Sequence, residues 1–383
     1  MALAAGAVAL LTSPGLAHKP VTSPFTYNDD VYPILRDRCG QCHVNGGVAP
    51  MSLLTHEDTV PWGESIRVEL LARHMPPWGV DAAASRFRNA ESLTAREMNV
   101  LLTWATGGTP YGTPDKAPPP VTRSVGWRLG PPDLQLPFPS EITLPSNAQE
   151  ETVEVVIPAG TAERRAIRAV DLLPGTPAIV RSAVVSVRSA APSTAGSGGT
   201  ESVLAMWLPG DEPVAADGGM SFELPAGAEL VVRVHYKKTW QFERKEMRDR
   251  STLGLYFARE PSAPLRAVTI ASGRDKSFVS TIVEDVRVAA IYPGDGLSNA
   301  RVVVTAIGTD GARRELIAFH PRAGWARRYW FREPIALARG TKIETRITAD
   351  NAAASLPLVA PPVTGPRPDV SDSRLTLNVV TRK

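Results

Sequence analysis

Apolar residues between positions 25 and 108 recur at intervals of three and four, which is the spacing of an amphipathic helix. The pattern predicts three helices in this stretch. The first begins at Asn28 or Asp29 and runs to Cys39, and the second begins at Thr55, whose hydroxyl suits an N-cap. The third begins within residues 92–97 and ends at the glycine pair 107–108. Two prolines exclude a helix from residues 74–78.

The period changes to two in the remainder of the chain, where apolar and polar residues alternate as they do along half-buried strands. Eight such runs cover residues 151–157, 178–187, 230–236, 252–257, 301–307, 315–319, 342–347 and 374–380. Short strands separated by proline and glycine turns are typical of β-sandwiches. We therefore expect a multidomain chain: an all-α domain at 25–108, a proline-rich linker at 109–125, and two tandem all-β sandwiches at 126–262 and 263–383.

Composition narrows the class of protein. The chain has 383 residues, which favours two or three domains, and its net charge of +3 with no basic run does not suggest nucleic-acid binding. Residues 2–11 are apolar and are followed by small residues up to Ala17, so residues 1–17 resemble a signal peptide, although no basic residue precedes the apolar run. About ten apolar residues are too few to span a bilayer. We expect an exported, periplasmic protein, or one in which the segment is kept as a short anchor.

The only two cysteines of the chain lie in the run Cys39-Gly40-Gln41-Cys42-His43. Cys-x-x-Cys-His is the attachment pattern of a c-type haem, in which two thiols bind the porphyrin covalently and the histidine is the proximal iron ligand. A redox-active cysteine pair would follow a strand of a βαβ unit, and no such unit is predicted here. A zinc site would need further cysteines or well-spaced histidines. The sequence therefore predicts one covalent haem c at Cys39, Cys42 and His43.

The order of helix, haem motif, Met-Pro loop and final amphipathic helix resembles that of a small class I cytochrome c. The resemblance implies a second axial ligand on the loop before the last helix, where Met75 lies, and His74 and Met51 are the alternatives. It also implies that Trp62, Trp78 and Trp104 line the haem pocket, where packed aromatic rings exclude water.

Several short segments of the sequence resemble those of bacterial proteins in which a cytochrome c is fused to a copper type II, ascorbate-dependent monooxygenase-like module. They are Ala-Pro-Met-Ser-Leu at 49–53, Met-Pro-Pro-Trp at 75–78, Leu-Pro-Ala-Gly-Ala at 224–228, Val-His-Tyr at 234–236, Asp-Arg-Ser-Thr-Leu-Gly at 249–254 and Glu-Pro-Ile-Ala-Leu-Ala-Arg-Gly-Thr at 333–341. The module is that of peptidylglycine and dopamine monooxygenases, so the resemblance implies two jelly-roll-like sandwiches that each hold one copper ion.

The copper ligands of that family are missing at the matching positions. Arg181-Ser182 stands where the family has a His-His pair, His235-Tyr236-Lys237 stands for one His-x-His, and residues 289–292, Ala-Ala-Ile-Tyr, stand for another. Copper needs about three nitrogen or sulfur ligands, and only His235 and His320 remain beyond the cytochrome-like part. We therefore do not expect copper to bind.

These observations favour a monohaem electron-transfer protein whose β module is a docking or scaffold unit, rather than an enzyme. Two alternatives stay open: a copper monooxygenase that receives electrons from the haem, and a subunit of a membrane respiratory or photosynthetic complex. The expected partner is a redox protein or a membrane redox complex, and peripheral membrane association fits the second alternative.

Overall fold

The computed structural model describes residues 22–77, 80, 84–90, 92–117, 119, 126–188, 201–211, 213, 216, 219–271, 277–294, 297, 300–322, 324–349 and 374–381. The predicted signal peptide, most of the second half of the predicted linker, and Trp78 lie outside these residues.

Four α-helices occur in the described part of the N-terminal quarter: α1 (Tyr32–Arg38), α2 (His56–Thr59), α3 (Gly63–Leu71) and α4 (Ala95–Thr106). A π-helical turn, Tyr27–Val31, leads into α1 and a 3-10 turn, Val60–Trp62, joins α2 to α3. Further 3-10 turns cover Ala84–Arg86, Pro114–Lys116 and Trp240–Phe242.

The predicted helix starts are confirmed at two of three places. The Thr55 hydroxyl accepts the Asp58 N–H at 3.1 Å and begins α2. Thr94 and Glu97 form a reciprocal capping box at the start of α4, which ends at Gly107. The first helical turn instead begins after Thr26, because Thr26 bonds Asp29 and Asp30 through its hydroxyl and its N–H.

The described strands are β1 (Leu134–Pro137), β2 (Ile142–Leu144), β3 (Glu150–Pro158), β4 (Arg165–Leu173), β5 (Val180–Arg188), β6 (Glu201–Trp207), β7 (Met220–Leu224), β8 (Glu229–Lys237), β9 (Met247–Asp249), β10 (Thr252–Phe257), β11 (Ala263–Pro264), β12 (Arg266–Ala271), β13 (Ser277–Thr281), β14 (Val286–Pro293), β15 (Ala300–Ile307), β16 (Arg313–Phe319), β17 (Tyr329–Leu337), β18 (Lys342–Ala349) and β19 (Arg374–Thr381). All eight predicted strands are confirmed as β3, β5, β8, β10, β15, β16, β18 and β19.

The strands form four large sheets, with orders β1-β10-β4-β7-β11, β3-β8-β5-β6, β12-β19-β14-β17 and β13-β18-β15-β16, and β2 pairs with β9. We call the first two sheets the first sheet pair and the next two the second sheet pair. Both sheets of a pair contribute to one apolar core, as Val170 of β4 and Val185 of β5 do in the first. The chain passes between the pairs at Leu265, because β11 pairs with β7 and β12 with β19.

A buried arginine joins the two sheet pairs. The Arg328 guanidinium donates to the carbonyls of Leu204 and Val203 at 2.7 Å each. Its Cζ lies 4.8 Å from the ring centroid of Phe222 and 4.9 Å from that of Tyr292. Because the guanidinium fills backbone acceptors of one pair and stacks on aromatic rings of both, it fixes the pairs against each other.

The expected fold class, an all-α cytochrome c domain followed by two tandem jelly-roll-like sandwiches, is wrong. The molecule is mostly β, its helices are short, and its four large sheets are arranged like the four blades of a propeller. The helices pack around a core of their own, centred on Tyr27, Leu35 and Trp104. However, the stretch that was expected to complete the helical domain joins the strands.

Val80 and residues 84–90 belong to the second sheet pair. Val80 pairs with Phe319 and Phe87 with Phe331 in antiparallel bridges. Val80, Phe87 and Ala90 are buried in the core of that pair. Strands rather than helices cover these apolar side chains, so the helical domain is not self-contained.

Among the helices in the described ranges, none has the length and apolar character needed to cross a membrane.

Candidate functional site

The Cys-x-x-Cys-His motif forms a tight turn at the end of α1. The Cys39 N–H donates to the Leu35 carbonyl at 2.9 Å, and the His43 N–H donates to the Cys39 carbonyl at 2.9 Å. The Cys42 N–H also donates to the Cys39 carbonyl, at 3.1 Å. These bonds tie the turn to the last residues of the helix, so one short, rigid piece of backbone presents both thiols and the imidazole.

Gly40 allows the turn to lie close to α1. A Cβ at position 40 would lie 2.7 Å from the carbonyl oxygen of Arg36 and 3.0 Å from the Leu54 side chain. Real Cβ atoms do not approach a backbone oxygen so closely. Any other residue would push the turn away from the helix and displace Cys39.

The two thiols form no disulfide and lie in different surroundings. Cys39 packs against the helical core, and burial raises the pKa of its thiol to about 12. The Cys42 Sγ atom faces the first sheet pair and lies 3.5 Å from the Pro209 carbonyl oxygen. Neither sulfur is used in a disulfide, so both are available for thioether bonds.

The His43 ring is held as a neutral imidazole. Burial lowers the pKa of His43 to about 4; contact with the Met51 backbone opposes this shift and the positive charge of Arg181 adds to it. The Nδ1 atom of the ring is buried and has no hydrogen-bond partner. A neutral imidazole keeps a nitrogen lone pair that can bind a metal.

These residues fit a covalently bound haem. The attachment chemistry needs two free thiols three positions apart and an adjacent neutral histidine, and all three are present on one turn. Buried polar atoms in native proteins ordinarily have a partner, so the orphaned His43 nitrogen marks an interaction that the polypeptide alone does not complete.

The candidates for a second axial ligand lie in three different settings. Met75 follows α3 and its side chain is 37% exposed. The Nδ1 atom of His74 lies 3.1 Å from a carboxylate oxygen of Glu69, which occupies that ring nitrogen. Met51 packs against the helical core, and its backbone contacts the His43 ring. The assignment of Met75 stays a prediction.

Two of the three predicted pocket tryptophans lie in the described part of the chain. Trp104 is fully buried in the helical core, and its Nε1 donates to the Pro110 carbonyl at 3.1 Å. Trp62 is partly buried against the same core. That core also includes Cys39, so both rings pack in the apolar cluster that contacts the motif.

The connection after β6 forms the other wall of the site. At Gly210 the backbone has a φ of +83°, and a Cβ there would overlap the Cβ of Gln41 within the motif. The Gln241 side-chain amide donates to the Pro50 carbonyl at 2.8 Å. The motif and the loop behind it therefore rest directly on the first sheet pair.

Arg181 lies at the same end of the first sheet pair as Gly210. From the sequence, Arg181 was expected only to replace a copper ligand. It is the extra residue of a β-bulge in β5, because Val180 pairs with Tyr236 and Ser182 with His235. A bulge redirects a side chain out of the regular alternation. The Arg181 Cζ lies 5.5 Å from the ring centroid of Trp325, and its Nε is buried without a hydrogen-bond partner.

The remaining charged groups at this end of the sheet pair with one another. Glu150 of β3 accepts from His235 Nε2 at 3.0 Å and from Lys237 at 2.7 Å. Burial lowers the pKa of His235, and the Glu150 charge opposes that shift. Gly324 lies against the His235 ring, so the loop before β17 covers this face of β8.

The positions that correspond to copper ligands in the resembling family do not form a comparable set. Ser182 and His235 are paired across β5 and β8, but Ala289, Ala290 and Ile291 are fully buried apolar residues. His320 is buried at the end of β16. In the described ranges, no three Cys, His, Asp or Glu side chains come together as a metal-binding group.

Comparisons with known proteins identify no family. No family model matches the chain, and no curated protein matches it. Among solved structures, it is similar to the A223 turret protein of Sulfolobus turreted icosahedral virus, with 13% identity over 65% of this chain and 100% of the other and a TM-score of 0.17.

Two further solved structures have equally low similarity. An alpha-L-fucosidase of Bacteroides ovatus has 12% identity over 55% of this chain and 35% of the other, with a TM-score of 0.16. A Paenibacillus xanthan lyase has 11% identity over 72% of this chain and 28% of the other, with a TM-score of 0.15. Similarity at this level supports no conclusion about fold or function.

Proposed function

We propose that this chain binds one haem c covalently and transfers single electrons between redox proteins. The observation that carries the proposal is the turn after α1. One short piece of backbone there presents two thiols that form no disulfide and a histidine whose buried Nδ1 atom has no hydrogen-bond partner. Cysteine pairs and lone histidines occur for many reasons, but this combination with this spacing matches the requirements of haem attachment.

The residues of the turn have separate tasks. Cys39 and Cys42 would each form one thioether bond, which fixes the position of the group on the turn, and His43 would be the proximal ligand. A haem bound there would supply an iron ion that alternates between the ferric and ferrous states, accepting one electron and releasing it again. The hydrogen bonds to Leu35 and Cys39 hold the thiols and the ring in a fixed relation, so little reorganisation would accompany each electron transfer.

The β-sheets supply a support rather than a second chemical centre in this proposal. Gly210 and Gln241 hold the motif against the first sheet pair, and residues 84–90 attach the helical segment to the second. The Asn89 side chain donates to the Arg328 carbonyl at 2.7 Å and accepts the Trp330 N–H at 3.1 Å. A surface fixed in this way can present the haem edge to an external one-electron donor or acceptor protein.

Export remains a prediction that the proposal needs, because haem c is attached outside the cytoplasm.

A redox titration with a haem-maturation system tests the proposal. The wild-type protein, produced in the periplasm together with that system, should show one c-type haem per chain that is reduced and reoxidised reversibly by one electron. The double variant Cys39→Ser and Cys42→Ser keeps His43 but cannot form thioethers, and it should lose the signal after denaturing purification. A wild-type protein that acquires no haem under these conditions would contradict the proposal.

A further inference from the structure

The first sheet pair brings a half-buried cation, Arg181, to the predicted haem-binding turn. Ala183 of β5 pairs with Trp207, the last residue of β6. Arg181 lies two positions before Ala183, so it lies level with Leu208 and Pro209, where the chain continues beyond β6. Pro209 is the residue whose carbonyl contacts the Cys42 sulfur. The motif and the bulge therefore meet at the same corner of the sheet.

The positive charge of Arg181 shares its nearby carboxylate with other basic groups. The carboxylate that acts on Arg181 is that of Glu150, but it already binds Lys237 and His235. The Nε of Arg181 has no hydrogen-bond partner, and its guanidinium rests on the Trp325 ring. Removing a charge from water without a full partner is costly.

We infer that Arg181 is part of the haem site and raises its reduction potential. This inference rests on the proposed function. Cys42 would hold a haem at the corner of the sheet where Arg181 lies. When the ferric iron takes one electron from an external donor protein, the net charge of the site falls by one, and a nearby fixed cation favours that lower-charge state.

The position of Arg181 makes its charge effective. The side chain is partly buried, and the charge of a partly buried group is screened less by dissolved ions than that of an exposed one. The register of β5 and β6 places Arg181 level with Pro209, whose carbonyl oxygen lies 3.5 Å from the Cys42 sulfur. Arg181 is a tuning residue in this account and takes no part in bond making.

Midpoint potentials of holoprotein variants test the inference. We expect Arg181→Gln to raise the ferric-to-ferrous ratio at a fixed ambient potential about tenfold, which corresponds to a potential about 59 mV lower for one electron. Arg181→Lys keeps the charge and should stay much closer to the wild type. Arg164→Gln removes an equal charge from an exposed site on β4's flank, where the side chain is 73% exposed, and should change the ratio less than twofold.

A second variant tests the same coupling if Arg181→Gln yields no holoprotein. Gly210→Ala forces Gln41 away from the first sheet pair and so moves the motif away from Arg181. We expect its midpoint potential to fall as well. If Arg181→Gln binds haem covalently and its midpoint potential is unchanged, the inference about Arg181 is wrong but the proposed function stands. If Arg181→Gln yields no holoprotein, an unchanged potential in Gly210→Ala has the same meaning. Wild-type protein without covalent haem would overturn the proposed function and this inference together.

Discussion

The Cys42 Sγ atom lies 3.5 Å from the carbonyl oxygen of Pro209, a residue 167 positions later in the chain. The contact joins the predicted haem motif to the end of β6. The motif is therefore not the property of a separate helical domain, because its second cysteine already faces the first sheet pair. Chemistry at the turn and the geometry of the sheets are coupled, and each of the following predictions tests one part of that arrangement.

The cap of α4 should contribute measurably to the stability of the helical segment. Thr94 accepts the Glu97 N–H at 3.1 Å, and the Glu97 carboxylate accepts the Thr94 N–H at 2.7 Å. Thr94→Ala removes half of the box and should lower the free energy of unfolding by about 1 kcal/mol. Urea unfolding measures the change. Thr94→Ser keeps the hydroxyl and is the control; an equal loss in both variants would show that the cap is not responsible.

The ion-pair cluster on β5, β6 and β8 should make stability depend on pH. Glu201 accepts from Arg233 and from Arg188 at 2.8 Å. The hydrogen bond from Arg233, opposed by burial and supported by Arg188, holds the pKa of Glu201 below its usual range. A carboxylate with a depressed pKa in the folded state stabilises the protein above its unfolded pKa of about 4.3, and this contribution is lost as the pH falls through the folded pKa.

Glu201→Gln should therefore destabilise the protein by about 1 kcal/mol at pH 7, with the difference from wild type shrinking below about pH 4. Unfolding by urea at several pH values measures this. Glu260→Gln, at an exposed position, is the matched control and should behave like the wild type. A Glu201→Gln deficit that is constant across this pH range would contradict the assignment.

Met75 is the predicted second axial ligand. The Met51 backbone contacts the His43 ring, whereas Met75 lies after α3 on the loop that leads towards α4. Oxidised wild-type holoprotein should show the weak near-infrared absorbance of an iron–thioether bond. Met75→Ala should abolish that band and lower the reduction potential, because a thioether ligand raises it. If Met51→Ala abolishes the band and Met75→Ala does not, Met51 is the ligand.

Added copper should not stabilise the full chain. Any ligand that binds only the folded state raises the melting temperature by mass action. His235 binds the Glu150 carboxylate. The residues that match the other His-x-His of the resembling family are the buried apolar residues Ala289, Ala290 and Ile291. We expect equal melting temperatures with and without copper(II). A copper-dependent rise that His235→Ala abolishes would restore the monooxygenase alternative.

Local features of this chain could be predicted from the sequence because their causes are local. The hydroxyls of Thr55 and Thr94 cap helices within three residues, and the alternation along residues 232–237 of β8 follows from the burial of every second side chain. Eleven of the nineteen described strands were not predicted, and for two of them, β4 and β17, the reason is local. In β17 a proline at position 334 interrupts the run, and β4 mixes arginines with apolar residues without strict alternation.

The tertiary part of the site could not be predicted in this way. The contact of Gln41 with Gly210 and the bulge at Arg181 depend on how distant strands come together. Phe87 is a further example. It lies between helices in the sequence, but it pairs with Phe331 of β17 and therefore belongs to a sheet. The prediction of one helical domain at residues 25–108 was wrong, because the spacing of apolar side chains does not show which element they pack against.

Covalent attachment of the haem is the central claim, and the mass of the intact denatured protein tests it most directly. Protein matured in the periplasm with a haem-attachment system is denatured, extracted with acidified organic solvent and weighed by mass spectrometry. The account predicts that the chain keeps the mass of one haem after extraction, and that neither the Cys39→Ser nor the Cys42→Ser variant retains both thioether bonds. A chain that has only its polypeptide mass, with any haem in the solvent phase, would contradict it.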